Sequence, residues 1–275
     1  MFKLKNRFVF CVMLLALLAC SKSGARQKNS AAKDTKTTGT IEQKTITFKA
    51  PDGLDITADL SVTHALSAPF IILFHQAGWS RGEYREIMPK LNEMGFNCMA
   101  VDLRSGGDVN GVDNETHKRA VSAGKGTTYL DAYQDMQAAL QFAHAHYAEG
   151  KLIAWGSSYS SALVLKLTGE NGKIIDGVLA FSPGEYFTKL GQSGTFITDA
   201  ARKIACPVFI TSANGEQQNW QSIFDAIPSE KKQSFTPSTR GNHGSRALWA
   251  KFSDSKDYWQ HVTAFLTTYF LKPQK

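Results

Sequence analysis

The chain has 275 residues and a formal charge of +7, long enough for one large core without a second domain. Three of those charges are Lys3, Lys5 and Arg7, and residues 21–40 hold a net four (Lys22, Arg26, Lys28, Lys33 and Lys36 against Asp34), so residues 41–275 are neutral overall. With the excess charge confined to residues 1–40, nothing in it points to nucleic acid as a partner of the folded part, and four cysteines, two of them before residue 21, exclude a disulfide-built scaffold.

Phe8 to Ala19 is an unbroken apolar run after basic residues, too short to span a bilayer and laid out like a secretory signal peptide. Its end, Leu17-Leu18-Ala19-Cys20, resembles the bacterial lipobox. That resemblance implies removal of residues 1–19 and lipidation of Cys20, while an ordinary cleavable signal ending near Ala19 is the alternative. Ser21, in the same resemblance, permits transfer to the outer membrane. The expectation is therefore a protein of the bacterial cell envelope, lipid-anchored at Cys20, the anchor being its contact with the membrane. Residues 20–40 lack large apolar side chains and read as a disordered tether, with the fold starting near Ile41.

From there, strand-length apolar runs alternate with helical periods, the pattern of a mainly parallel sheet with crossover helices on both faces. Thr45 to Lys49 and Ile56 to Val62 flank Pro51-Asp52-Gly53 and read as a hairpin. Pro69 to His75 is a central buried strand. Ser80 starts a helix that runs to Met94 and closes at Gly95, and Asn97 to Asp102 is the next strand. Residues 104–127 read as one long polar loop, whose oxygen-rich part, Asp108 to Glu115, has its glycine misplaced for a calcium loop.

An amphipathic helix begins at Thr128 and leaves His144 and His146 near its polar side. Strands follow at Lys151 to Trp155, Ile174 to Phe181, Cys206 to Thr211 and Gln233 to Thr236, and a last helix spans Asp254 to Leu271. Cys98 and Cys206 begin predicted strands and read as small buried apolar residues.

Lys151 to Trp155 runs into Gly156-Ser157-Ser158-Tyr159-Ser160 and then a helix. This arrangement resembles the nucleophile elbow of the α/β-hydrolase superfamily, with Ser160 where a glycine is usual. Ser158 would be the nucleophile, and replacement of Ser157 is expected to be mild. His75-Gln76-Ala77-Gly78 follows the central strand where that fold has its oxyanion loop, and the resemblance points to dienelactone-hydrolase-like members.

The resemblance implies an eight-stranded, mostly parallel sheet. It also implies an oxyanion hole from the N–H groups of Gln76 and Tyr159, and hydrolysis of a small-molecule acyl substrate without metal or other cofactor. His75 reads as a buried structural histidine. His243, between Gly241 and Gly244 after the last strand, is the expected base. Glu216, after Cys206 to Thr211, is the expected acid, with Asp225 as fallback. Ester hydrolysis, peptidase or amidase action, and a silent surface binding protein remain open, because fold alone does not choose among them.

Overall fold

The computed structural model describes residues 42–271, so the expectations for the signal peptide, Cys20 and the tether lie outside the described residues. Among these, no helix is long and apolar enough to cross a membrane.

β1 (Glu42–Lys49) and β2 (Asp55–Val62) form the expected antiparallel hairpin. β3 (Phe70–Phe74) and β4 (Asn97–Val101) follow, separated by a 3₁₀ turn (Arg81–Tyr84) and α1 (Ile87–Glu93). The single helix expected from Ser80 to Met94 is thus divided. Pro89 has no N–H and its ring would press on the carbonyl four residues earlier, so it is accepted only in the first turn of a new helix.

Residues 104–127 are likewise more ordered than composition suggests. Asn110 and Gly111, both at positive φ, turn a short hairpin of β5 (Asp108–Val109) and β6 (Val112–Asp113). Asn114 then caps α2 (Glu115–Ser122), accepting the His117 N–H at 2.8 Å. Ion pairs pin the segment, with Arg104 held between the buried Asp135 and the more exposed Asp52, and the half-buried Arg81 on Asp102.

The chain continues through α3 (Tyr133–His146), β7 (Leu152–Ser157), α4 (Tyr159–Glu170), β8 (Gly177–Phe181), α5 (Phe196–Ala201), β9 (Val208–Thr211), α6 (Gln217–Ala226), β10 (Lys232–Phe235) and α7 (Ser255–Phe270). β9 starts two residues after Cys206 because Pro207 has no N–H to give to a ladder. His144 and His146 are exposed.

The eight long strands form one sheet in the order β1-β2-β4-β3-β7-β8-β9-β10, with pairings parallel from β4 onward. β3, β4, β7, β8 and β9 are buried along their whole length, which explains their unbroken apolar sequences. Alternate side chains feed two cores. Phe70, Ile72 and Phe74 pack with α3, α4, α5 and α6, whereas Ile71, Leu73 and Trp155 pack with α1 and α7. Because β3, β7, β8, β9 and β10 run parallel, the segments leaving their carboxyl ends gather on one edge of the sheet.

Candidate active site

β7 delivers Ser158 to that edge in a conformation L-residues seldom adopt, φ 59° and ψ −124°, directly before α4. The strained turn is held from three sides. The Ser158 N–H donates to the Phe181 carbonyl at 2.8 Å, Ser161 Oγ donates to the Ser158 carbonyl at 2.5 Å, and the Ser157 N–H donates to Ser160 Oγ at 2.9 Å. A Cβ added to Gly156 would lie 2.5 Å from the Ser160 carbonyl oxygen, so this turn admits glycine alone there. Ser160 fits because its hydroxyl also reaches the Phe74 carbonyl at 2.8 Å, tying the elbow to the end of β3.

His243 Nε2 lies 2.8 Å from Ser158 Oγ, and His243 Nδ1 lies 2.7 Å from Glu216 Oε1. With Nδ1–H donating to the carboxylate, Nε2 is left to accept the Ser158 proton. Burial pushes the Glu216 carboxyl up, but hydrogen bonds from His243 and Ser182 outweigh it and hold the group below its ordinary range. Asp225, the fallback acid, is exposed at the end of α6 and accepts from Gln221 Nε2 instead.

Ser182 was not singled out by sequence reasoning. It leaves β8 at φ 57°, donates to Glu216 Oε2 at 2.6 Å and accepts the Gly244 N–H at 2.9 Å. One hydroxyl thereby joins the acid to the histidine loop. The only signal in the sequence was a serine directly after a buried strand, on the same edge as the elbow.

The oxyanion loop departs from expectation at one atom. The Gln76 N–H donates to Glu83 Oε2 at 2.8 Å, so it is committed to a carboxylate rather than open to substrate. Among the described residues, neither the next N–H along, that of Ala77, nor that of Tyr159 at the start of α4 has an acceptor. His75 is fully buried, its Nε2 accepting the Leu103 N–H at 2.8 Å and its Nδ1 donating to the Gln76 carbonyl at 2.8 Å. Burial pushes its pKa down to about 4, and it stays a neutral strut under the loop.

Ser157 is also more engaged than expected. Its hydroxyl donates to Glu83 Oε1 at 2.7 Å and accepts the Ser245 N–H at 2.8 Å, so its loss strands two buried partners and is not mild. The aromatic residues nearby are packing groups: Trp79 stacks on Trp249, and Tyr129 on Tyr159. No group of three or more His, Cys, Asp or Glu side chains among the described residues is placed to hold a metal ion.

No family model matches this chain, and no curated protein matches it in sequence. Solved structures do match in shape. An esterase of Pyrococcus furiosus is 18% identical with a TM-score of 0.64, over 84% of this chain and 93% of that one. A dienelactone hydrolase of Anabaena variabilis is 12% identical with a TM-score of 0.64, over 84% and 99%. Est1E of Butyrivibrio proteoclasticus is 13% identical with a TM-score of 0.62, over 83% and 99%, and has also been solved with ferulic acid bound. At these identities the likeness is one of architecture, and with the strand order above it gives the conclusion that this chain has the α/β-hydrolase fold.

Proposed function

We propose that the protein is a serine hydrolase that cleaves carboxylic esters through an acyl-enzyme on Ser158. The observation that carries this reading is the unbroken hydrogen-bonded chain from Ser158 Oγ through His243 to Glu216. A serine hydroxyl is a poor nucleophile until a base takes its proton, and this chain supplies base and orienter together. Ser158 Oγ bonds to the acyl carbon as His243 Nε2 takes its proton. The carbon–oxygen bond to the leaving alcohol then breaks, and the same proton passes to that alcohol. Water, deprotonated by His243, attacks the acyl carbon, the bond to Ser158 Oγ breaks with return of that proton from His243 to Ser158, and the acid leaves.

The oxygen that becomes negative is received by the N–H groups of Tyr159 and Ala77, since that of Gln76 is bound to Glu83. The names of the similar structures, esterases and a dienelactone hydrolase, favour ester over amide substrates.

A panel of p-nitrophenyl esters and aminoacyl anilides tests this on the full chain. The expected result is ester turnover that Ser158→Ala removes without moving the thermal midpoint. Anilide turnover alone favours the peptidase reading, and no turnover of either class favours a silent binding protein.

The anchor is proposed on sequence grounds: Leu17-Leu18-Ala19-Cys20 supports a lipid on the Cys20 sulfur that holds the enzyme at the envelope membrane. Cys20→Ser should move the protein from membrane pellets to the soluble fraction, and unchanged fractionation would place any attachment elsewhere.

A further inference from the structure

Behind the elbow lies a carboxylate that the reaction as described does not use. Glu83 belongs to the 3₁₀ turn Arg81–Tyr84, is fully buried, and has no cation within ion-pairing distance among the described residues. Its two oxygens are spent on two parts of the site. Oε2 accepts the Gln76 N–H at 2.8 Å, and Oε1 accepts the Ser157 hydroxyl at 2.7 Å. Ser157 Oγ in turn accepts the Ser245 N–H at 2.8 Å, two residues beyond His243. One side chain therefore touches the oxyanion loop and the elbow directly and the histidine loop through one hydroxyl. Its own backbone is fixed as well, since Trp249 Nε1 donates to the Glu83 carbonyl at 2.9 Å.

We infer that Glu83 is a positioning residue for the hydrolysis proposed above, holding the oxyanion loop, the elbow and the histidine loop in register; the inference rests on that reading of the site. By occupying the Gln76 N–H, Glu83 sets the turn that leaves the Ala77 N–H without a protein acceptor. By orienting Ser157, it fixes the residue before the nucleophile and the segment after the base. An unpaired buried carboxylate costs stability, so a fold that retains one has a use for it.

Its ionised form suits both of its hydrogen bonds, because it only accepts. A proton on Oε1 would have to be donated to Ser157 Oγ, displacing the hydroxyl proton that now points at Glu83. Burial pushes the Glu83 carboxyl up to about 7, opposed by the Ser157 and Gln76 hydrogen bonds and by His243 and Arg246; the other titratable groups facing it are Tyr84 and Tyr159. The register therefore changes with pH near neutrality.

The test is the full chain with Glu83→Gln, an isostere without the charge, assayed on a p-nitrophenyl ester from pH 5.5 to 9. The expected result is kcat lower by about tenfold with KM within about twofold, as for a loosened but intact site. The acid limb of the kcat profile should follow two ionisations in the wild type and one in the variant. If the glutamine variant does not fold, Ser157→Ala, which removes the links from Glu83 to the elbow and through that hydroxyl to the histidine loop while leaving the Gln76 N–H bound, should lower kcat in the same way at unchanged KM. Wild-type kcat and pH profile in the folded variant would overturn the inference while leaving the hydrolase reading standing. An inactive wild type, unlabelled at Ser158 by a fluorophosphonate, would overturn both.

Discussion

The Glu83→Gln substitution also changes how stability depends on pH, by an amount that follows from burial. In the unfolded chain the carboxyl titrates at its ordinary 4.5, and in the fold at about 7. Because the folded value is the higher, the fold favours the protonated acid. The stability this group contributes is complete below about pH 4.5, declines as the pH rises toward 7, and is level above. At about 1.4 kcal/mol per unit, the interval is worth roughly 3 kcal/mol between pH 4.5 and 8.

Glutamine does not titrate, so the unfolding free energies of wild type and variant, from urea curves at each pH, should converge or cross by about 3 kcal/mol over that range. Asp102 and Asp135, also raised to about 6 by burial, cancel in the comparison because both proteins carry them. Two parallel curves would refute the argument, since they would mean that Glu83 is solvated or paired in solution.

Other outcomes follow from single atoms. Ser182→Ala should lower kcat by about tenfold, because it leaves the Gly244 N–H unpaired and removes one hydrogen bond from Glu216. Ser182→Gly should be more stable than the alanine variant by about 1 kcal/mol in thermal unfolding, since φ 57° is costly for any residue with a Cβ. Gly156→Ala should destabilise by about 3 kcal/mol or more, or about 6–12 °C in melting temperature, because the new methyl meets backbone 2.5 Å away; an unchanged midpoint would contradict the geometry of the turn. Cys98 and Cys206 are both free, and their strands are separated by β3, β7 and β8, about 19 Å at ~4.8 Å per strand. Burial pushes the Cys206 thiol up to about 12 and Cys98 still further, so both peptides should be found unlinked in a digest made without reductant, and slow to alkylate before denaturation.

The parts of this structure visible in the sequence are those with a period or a punctuation mark. The five strands buried along their whole length showed as apolar runs. The elbow showed as small residues between a strand and a helix, and Glu216 and His243 as polar residues in the segments that follow β9 and β10. What stayed hidden depends on contacts between distant segments. Glu83 sits among polar residues at the mouth of a helix and looks like surface, yet the packing of the 3₁₀ turn against β3 and the histidine loop buries it completely. Ser182 carries no pattern of its own, and its role exists only because Glu216 and Gly244 arrive from other strands. The engagement of the Gln76 N–H was hidden for the same reason: its acceptor comes from seven residues away, through a side chain rather than a motif. The hairpin and helix within 104–127 were obscured by polar composition, although Asn110-Gly111 is a local turn signal that sequence does carry.

The most direct measurement of the central claim is the site of covalent labelling by a fluorophosphonate, mapped by mass spectrometry on the full chain. The account predicts a single phosphonylated serine, Ser158, in the wild type, with labelling slowed at least about a hundredfold by His243→Ala because the base that takes the Ser158 proton is gone. Label on Ser157 or Ser160, or labelling of Ser158 that is indifferent to His243, would contradict it.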